Sequence, residues 1–204
     1  MNDEAPEPRS TDGRLLSTLR LVIFLNLAYF GIELAVALAI GSVALIADSV
    51  DFLEDMTVNG LILAGLRFAP VWRARLGMGL ASLLLLPAAA GVIMLLHKIQ
   101  APVPPAPLPL SVTGLGALVV NGTCAVLLAR VRNEAGSLTR AAFLSARNDA
   151  IANVAIIAAG GATALWPTIW PDLIVGAGIA LLNADSAREI FEAAREEHKD
   201  AREG

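Results

Sequence analysis

Long apolar stretches alternate with short polar ones along this chain. The six apolar stretches cover about residues 15–40, 41–68, 74–96, 111–128, 138–166 and 173–191. About 20 apolar residues cross the hydrocarbon core of a bilayer as a helix. A helix also satisfies its own backbone hydrogen bonds in lipid, where water cannot. The pattern therefore predicts an all-α, polytopic membrane protein with six transmembrane helices.

Polar segments flank and interrupt these helices. Residues 1–14 are rich in proline and acid, so we expect a disordered tail there. Residues 15–193 are expected to form the six-helix transmembrane domain, and residues 194–204 a charged cytoplasmic tail with no cytoplasmic domain after it. Between the third and fourth helices, the prolines of HKIQAPVPPAPLPL exclude a helix and predict an extended loop.

The positions of lysine and arginine predict the orientation. Of the 15 basic residues, all except Lys98 and Arg147 flank helix ends that a six-helix topology places on the same side of the membrane. Lys98 is on the opposite side, and Arg147 lies within the fifth helix. Because cytoplasmic loops are enriched in basic residues, both termini are predicted to be cytoplasmic.

Four acidic residues lie near the middle of the second predicted helix. They are Asp48, Asp51, Glu54 and Asp55. A charge at the bilayer centre costs roughly 3 kcal/mol on insertion scales, so such groups normally face the protein interior and have a partner. On a helix, one face is shared by Asp48, Asp51, Asp55 and Asn59, with Glu54 to one side. A divalent cation is the partner that most directly explains this row of oxygen atoms.

The fifth predicted helix repeats the polar spacing of the second. Asp51-x-x-x-Asp55-x-x-x-Asn59 corresponds to Ser145-x-x-x-Asp149-x-x-x-Asn153. Both sets lie near the membrane midplane by helical rise. If the two helices pack together, the spacing predicts a metal site of Asp51, Asp55, Ser145 and Asp149. Additional ligands, or residues that support the ligands, are expected among Asp48, Asn59, Asn148 and Asn153.

Arg147 requires a separate explanation, because an arginine within a membrane helix needs an acidic partner. It points away from Asp149 on the helical wheel. We expect a structural or gating ion pair with Glu54; Glu33 and Asp185 are alternative partners.

Composition supports the membrane prediction and excludes other classes. Hydrophobic residues make up 56% of the 204 positions and charged residues only 17%. Nothing in the pattern favours nucleic-acid binding, and the single cysteine, Cys124, excludes a disulfide framework or a cysteine metal cluster.

The chain resembles the cation diffusion facilitators across all six helices. The resemblance rests on Asn26, Glu33, Gly41, Ser42, SVALIADSVDFLED and AAFLSARNDAIANVAIIAAG. It implies a secondary transporter, not an enzyme, that exports divalent metal ions in exchange for protons and carries no cofactor. It also implies a His/Asp-x-x-x-Asp pair in each of the second and fifth helices, here Asp51 with Asp55 and Ser145 with Asp149. The expected setting is a bacterial inner membrane, with a homodimer as one option.

Two features depart from that family's pattern. Ser145 stands where the family usually has His or Asp, so the fourth ligand could instead be Asn148, Asn153 or a water molecule. The chain also ends soon after the sixth helix, so we expect a minimal form without the family's cytoplasmic domain. The family favours Zn²⁺ or Cd²⁺, whereas ligation by oxygen alone suits Mn²⁺ or Fe²⁺ better. Zn²⁺ is the first expectation.

Other classes of function fit the sequence less well. An intramembrane aspartyl protease would need Gly-x-Gly-Asp, but Asp149 follows Ala146, Arg147 and Asn148. A CDP-alcohol phosphotransferase would need a glycine where Phe52 stands. A membrane scaffold without a substrate would leave both polar rows unexplained.

Overall fold

The computed structural model describes residues 10–65, 79, 89–132 and 137–183, and these residues contain helices but no β-strand. The helices, counting only their described parts, are α1 (Ser10–Ile40), α2 (Val43–Gly65), α3 (Ala89–Gln100), α4 (Pro107–Ala129), α5 (Ser137–Leu165) and α6 (Trp170–Asn183). The predicted all-α class is confirmed. α1 begins at Ser10, five residues before the predicted start of the transmembrane domain. The predicted tail at 194–204 and most of the third apolar stretch lie outside the described residues.

A glycine turn separates α1 from α2. Gly41 has a φ of 65°, in the left-handed region that a residue without a Cβ adopts readily. The Ser42 N–H reaches back to the carbonyl of Ala37 at 3.0 Å, which is the hydrogen bond of a Schellman helix end. Ser42 then caps α2, since its hydroxyl oxygen accepts from the N–H of Leu45 at 3.1 Å. The turn folds α2 back along α1.

The helices pack closely where small residues lie between them. α1 packs against α2 and α4, α4 packs along α5, and α5 also contacts α2. A Cβ at Gly114 would lie 2.9 Å from Ile156 on α5, and one at Gly116 would collide with the Tyr29 ring on α1. Small residues at such positions let membrane helices approach each other. This packing brings α2 and α5 together, as the site prediction requires.

α1 turns polar side chains towards the bundle interior and large apolar side chains towards its outer surface. On α1, Asn26 and Glu33 are fully buried, while Phe24 is 66% exposed and Leu27 is 50% exposed. This arrangement suits a protein surrounded by lipid, where ionisable groups face the bundle interior. Asn26 and Glu33 therefore face the bundle interior.

By length and composition alone, three of the described helices could cross a membrane. They are Gly13–Ile40, Pro107–Ala129 and Thr139–Leu165. α2 is 23 residues long and contains the four acidic residues, but the bundle buries all four. The protein is therefore an integral membrane protein, while the count of six spans and the cytoplasmic termini stay predictions.

Candidate metal site

A cavity of about 380 Å³ lies between α2, α5 and α6. Its polar lining residues are Asp51, Glu54, Ser145, Asn148, Asp149 and Asn183. On α2 it extends from Asp51 to Val58, around the middle of that helix. Three of the four predicted ligands, Asp51, Ser145 and Asp149, line this one cavity.

The polar side chains of α2 and α5 face each other in an antiparallel register. Asn153 contacts Asp48 at one level. At the next level, the charges of Asp51 and Asp149 act on each other. At the third level, the Ser145 hydroxyl interacts with the carboxyl groups of both Asp55 and Asp149. The four-residue spacings on the two helices therefore match, and the four predicted ligands lie together.

Asp48 and Asn153 form part of a hydrogen-bonded chain beside the cavity. The amide of Asn153 donates to both carboxylate oxygens of Asp48, at 2.8 and 2.6 Å. Its own oxygen accepts from Asn121 on α4 at 3.1 Å. Because both ends of the Asn153 amide are engaged, this side chain is better suited to fixing Asp48 than to holding a metal. Neither residue lines the cavity.

Several buried oxygen atoms have no hydrogen-bond donor among the described residues. They are Asp55 Oδ2, Asn59 Oδ1, Asn26 Oδ1 and both carboxyl oxygens of Glu33. Glu33 interacts with Asp48, its carboxyl neighbour on α2. Buried polar atoms in folded proteins nearly always have partners, so unpartnered acceptors mark places where a cation or a proton can bind. Asp55 is the one predicted ligand with such an atom.

The predicted acidic ligands lie near one another, but they do not surround a common metal position. Within the described part of the chain, no three His, Cys, Asp or Glu side chains are arranged tightly enough to hold a metal ion. The three predicted acidic ligands and Ser145 would have to move closer together to surround a cation.

Arg147 and Asn148 lie beside the site in a different arrangement from the predicted one. Arg147 is exposed, and its guanidinium donates to Asn148 Oδ1 at 3.3 Å. The ion pair seen among the described residues does not involve Arg147, and Asp185, an alternative partner, lies outside those residues. The helical-wheel direction of Arg147, away from Asp149, places it on the outside of the bundle.

Two features of the site region escaped the sequence analysis. Asn183 on α6 lines the cavity and donates to the backbone oxygen of Ala47 at 3.1 Å. Lys98, expected on the non-cytoplasmic side, is only 3% exposed and pairs with Asp172 at 2.7 Å. The predicted topology places only one basic residue, Lys98, and one acidic residue, Asp172, on the non-cytoplasmic side. That coincidence could have indicated from the sequence that the two residues pair.

Comparison with known proteins adds one positive finding. The family model for the cation efflux transmembrane domain matches residues 19–197. A search of curated proteins found no match. The family match spans every described helix that contributes to the cavity, and members of this family transport metal cations. The enzyme and scaffold alternatives are therefore not favoured, and the chain belongs to the cation efflux family.

Proposed function

We propose that this protein exports a divalent metal ion from the cytoplasm in exchange for protons, through a site made of Asp51, Asp55, Ser145 and Asp149. The observation that carries the proposal is the antiparallel register of α2 and α5. It places three carboxyl groups and one hydroxyl at adjoining levels, beside a cavity wide enough to admit an ion.

The chemistry of these groups favours a cation as cargo. Asp51 and Asp55 are 7% and 1% exposed, so their charges are almost out of contact with solvent. Like charges on Asp51 and Asp149 oppose each other in this setting. A divalent ion would relieve that repulsion and would supply the partner that Asp55 Oδ2 lacks.

The same repulsion accounts for proton exchange. Neighbouring buried carboxylates cannot all stay ionised without a cation between them. Metal ions bind the deprotonated forms, so metal binding releases protons and metal departure is followed by proton uptake. Coupling would then arise from competition for the same oxygen atoms, and no separate proton-binding group is required.

The position of the cavity supports an inward-facing arrangement. It lies along the N-terminal half of α5 and at the C-terminal end of α6. In the predicted orientation, both of those ends are cytoplasmic. A metal ion would enter from that side and reach Asp51 near the middle of the bilayer. We propose a bacterial inner membrane as the location and a homodimer as the assembly.

Zn²⁺ is the first proposed cargo on the strength of the family, with Cd²⁺, Mn²⁺ and Fe²⁺ as alternatives. An oxygen-only site is a weaker zinc site than one with an imidazole, which leaves Mn²⁺ and Fe²⁺ as real competitors. Asn148 and Asn183 also line the cavity and add amide oxygens to the available donors.

Uptake of metal by proteoliposomes tests the function. With an imposed proton gradient, the wild-type protein should accumulate Zn²⁺, and Asp55→Ala should slow uptake by more than about 100-fold because it removes a charged ligand. Thr123→Ala is the control, since that hydroxyl is exposed on α4 and bonds only to its own helix at Val119. Wild-type uptake by the Asp55 variant, or uptake indifferent to the proton gradient, would refute the proposal.

A further inference from the structure

At the end of α2 away from the cavity, one buried carboxylate holds several helices together. Asp172, at the start of α6, is fully buried. Its Oδ1 accepts hydrogen bonds from Ser42 Oγ at 2.6 Å and from the N–H of Ala44 at 3.2 Å. Its Oδ2 accepts from the N–H of Val43 at 2.9 Å and from Lys98 Nζ at 2.7 Å. Both oxygens of this carboxylate are thus fully engaged.

Lys98 completes the connection to α3 and to the turn between α1 and α2. Besides pairing with Asp172, its ammonium group donates to the carbonyl of Gly41. The first N–H groups of α2 carry partial positive charge, which favours the Asp172 carboxylate at that helix end. We call this set of residues, Gly41, Ser42, Lys98 and Asp172 with the first turn of α2, the end network.

Close packing surrounds the end network. Val43, Ile169 and Leu173 form a buried apolar cluster, with Met94 and Leu95 packed against it. At Gly176 on α6, an added Cβ would lie 2.7 Å from the backbone nitrogen of Ala44, so the two helix backbones are nearly in contact. This close approach leaves no room for an ion between Gly176 and Ala44.

The cavity holds three of the four proposed ligands, and the end network lies beyond them, towards the start of α2. Asp51, the cavity residue nearest the start of α2, is nine residues beyond Ser42, or about 13 Å along the helix. An ion that enters through the cavity and leaves on the other side has to pass the end network. We propose that the Lys98–Asp172 pair is the lock that keeps the site closed on that side, and that its opening exposes the site there.

This inference rests on the proposed transport function, and it assigns Lys98 and Asp172 as positioning residues, not as ligands. Asp172 is saturated with donors and lies outside the cavity, so it is poorly placed to hold the metal. Its effect acts through α2, which carries Asp51 and Asp55. Loss of the pair should change the side from which the site is reached, while leaving the ligands themselves intact.

Side-specific thiol labelling of the full chain tests the lock. Ala47→Cys, in a Cys124→Ala background, places a reporter between the end network and Asp51. Val103→Cys, in the loop after α3 and 70% exposed, identifies the side of the membrane on which Lys98 lies. With a membrane-impermeant reagent and no metal, we expect Lys98→Met to raise the labelling rate of the reporter from that side at least about tenfold, by increasing a minor open state. Lys98→Arg should restore slow labelling.

Two comparisons keep the result specific. Asp172→Asn should give the same one-sided increase as Lys98→Met, and Arg140→Met, which removes an exposed basic residue on α5, should give none. Unchanged labelling from the Lys98 side in both pair variants overturns the proposal, and so does an equal increase from both sides, which indicates general loosening. Failure of the transport function would show separately, as absence of Zn²⁺ uptake by the wild-type protein.

Discussion

The two ends of α2 treat buried polar groups in opposite ways. At its N-terminal end, the first four N–H groups all have acceptors: Val43 and Ala44 donate to Asp172, Leu45 to the Ser42 hydroxyl, and Ile46 to the Ser42 carbonyl. From the middle of the helix onwards, Asp55 Oδ2 and Asn59 Oδ1 have no donor among the described residues. The polar groups at the N-terminal end therefore all have hydrogen-bond partners, whereas some of those from the middle onwards do not.

The charges differ in the same way. The N-terminal end contains one buried cation and one buried anion in contact, Lys98 and Asp172. In the middle, the buried Asp51 and Asp55 and the partly buried Asp149 lie near one another, and none of the described basic residues forms an ion pair with them. A saturated polar network stiffens a structure, whereas an unsatisfied one has a strong affinity for whatever completes it. Burial alone does not identify a binding site, whereas buried polar atoms without hydrogen-bond partners do.

The largest expected effect on stability comes from breaking the pair at the N-terminal end. Lys98→Met leaves Asp172 without its cation, and we expect the free energy of unfolding to fall by about 3–5 kcal/mol, as for other buried pairs that lose one partner. The double variant Lys98→Met/Asp172→Asn should lose less than the sum of the two single variants, because neither partner is then left charged and alone.

Thermal or denaturant unfolding of the purified protein in detergent measures this coupling. Arg140→Met provides the matched control, since Arg140 is exposed and its loss should change stability little. Strictly additive losses in the two pair variants would show that Lys98 and Asp172 stabilise the fold independently, and the contrast between the two ends of α2 would then weaken.

A smaller effect, on selectivity and not on stability, is expected at the incomplete end. Ser145→His adds an imidazole to a site of oxygen atoms, and we expect the ratio of Zn²⁺ to Mn²⁺ transport to rise by about tenfold, since nitrogen ligands suit zinc better. Ser145 interacts with the carboxyl groups of both Asp55 and Asp149, so we expect an imidazole there to reach an ion that they hold.

Competition between the two metals in a transport assay gives this ratio directly. Thr123→His is the control, because it adds the same imidazole at an exposed position on α4. An unchanged ratio in a correctly inserted Ser145→His protein would remove Ser145 from the ligand set. Asn148, which also lines the cavity, would then be the better fourth ligand, since Asn153 is committed to Asp48.

The polar residues from the middle of α2 onwards were easier to predict from the sequence than the end network at its start. The four-residue spacing of Asp51 and Asp55, repeated at Ser145 and Asp149, is a local helical pattern, and it was enough to anticipate which side chains face each other. The all-helical class followed from the apolar stretches in the same way. Such patterns can be interpreted from the sequence because helix geometry fixes which residues share a face.

The end network was not predicted because nothing local joins its members. Lys98 and Asp172 are 74 positions apart, and each is flanked by loop or apolar residues that suggest an interface position. The expected Glu54–Arg147 pair, in contrast, rested on local sequence alone. A helical wheel gives the direction of Arg147 but not what lies there, and the bundle leaves that face of α5 exposed.

Equilibrium titration of the purified protein with Zn²⁺ and Mn²⁺ decides whether α2 and α5 hold the same metal ion. We expect Asp51→Ala, on α2, and Asp149→Ala, on α5, each to weaken binding of the preferred metal by more than about 100-fold. The double variant should be scarcely weaker than either single one, because both residues serve the same ion. Wild-type affinity in Asp149→Ala, with affinity lost in Asp51→Ala, would show that α5 takes no part in the site.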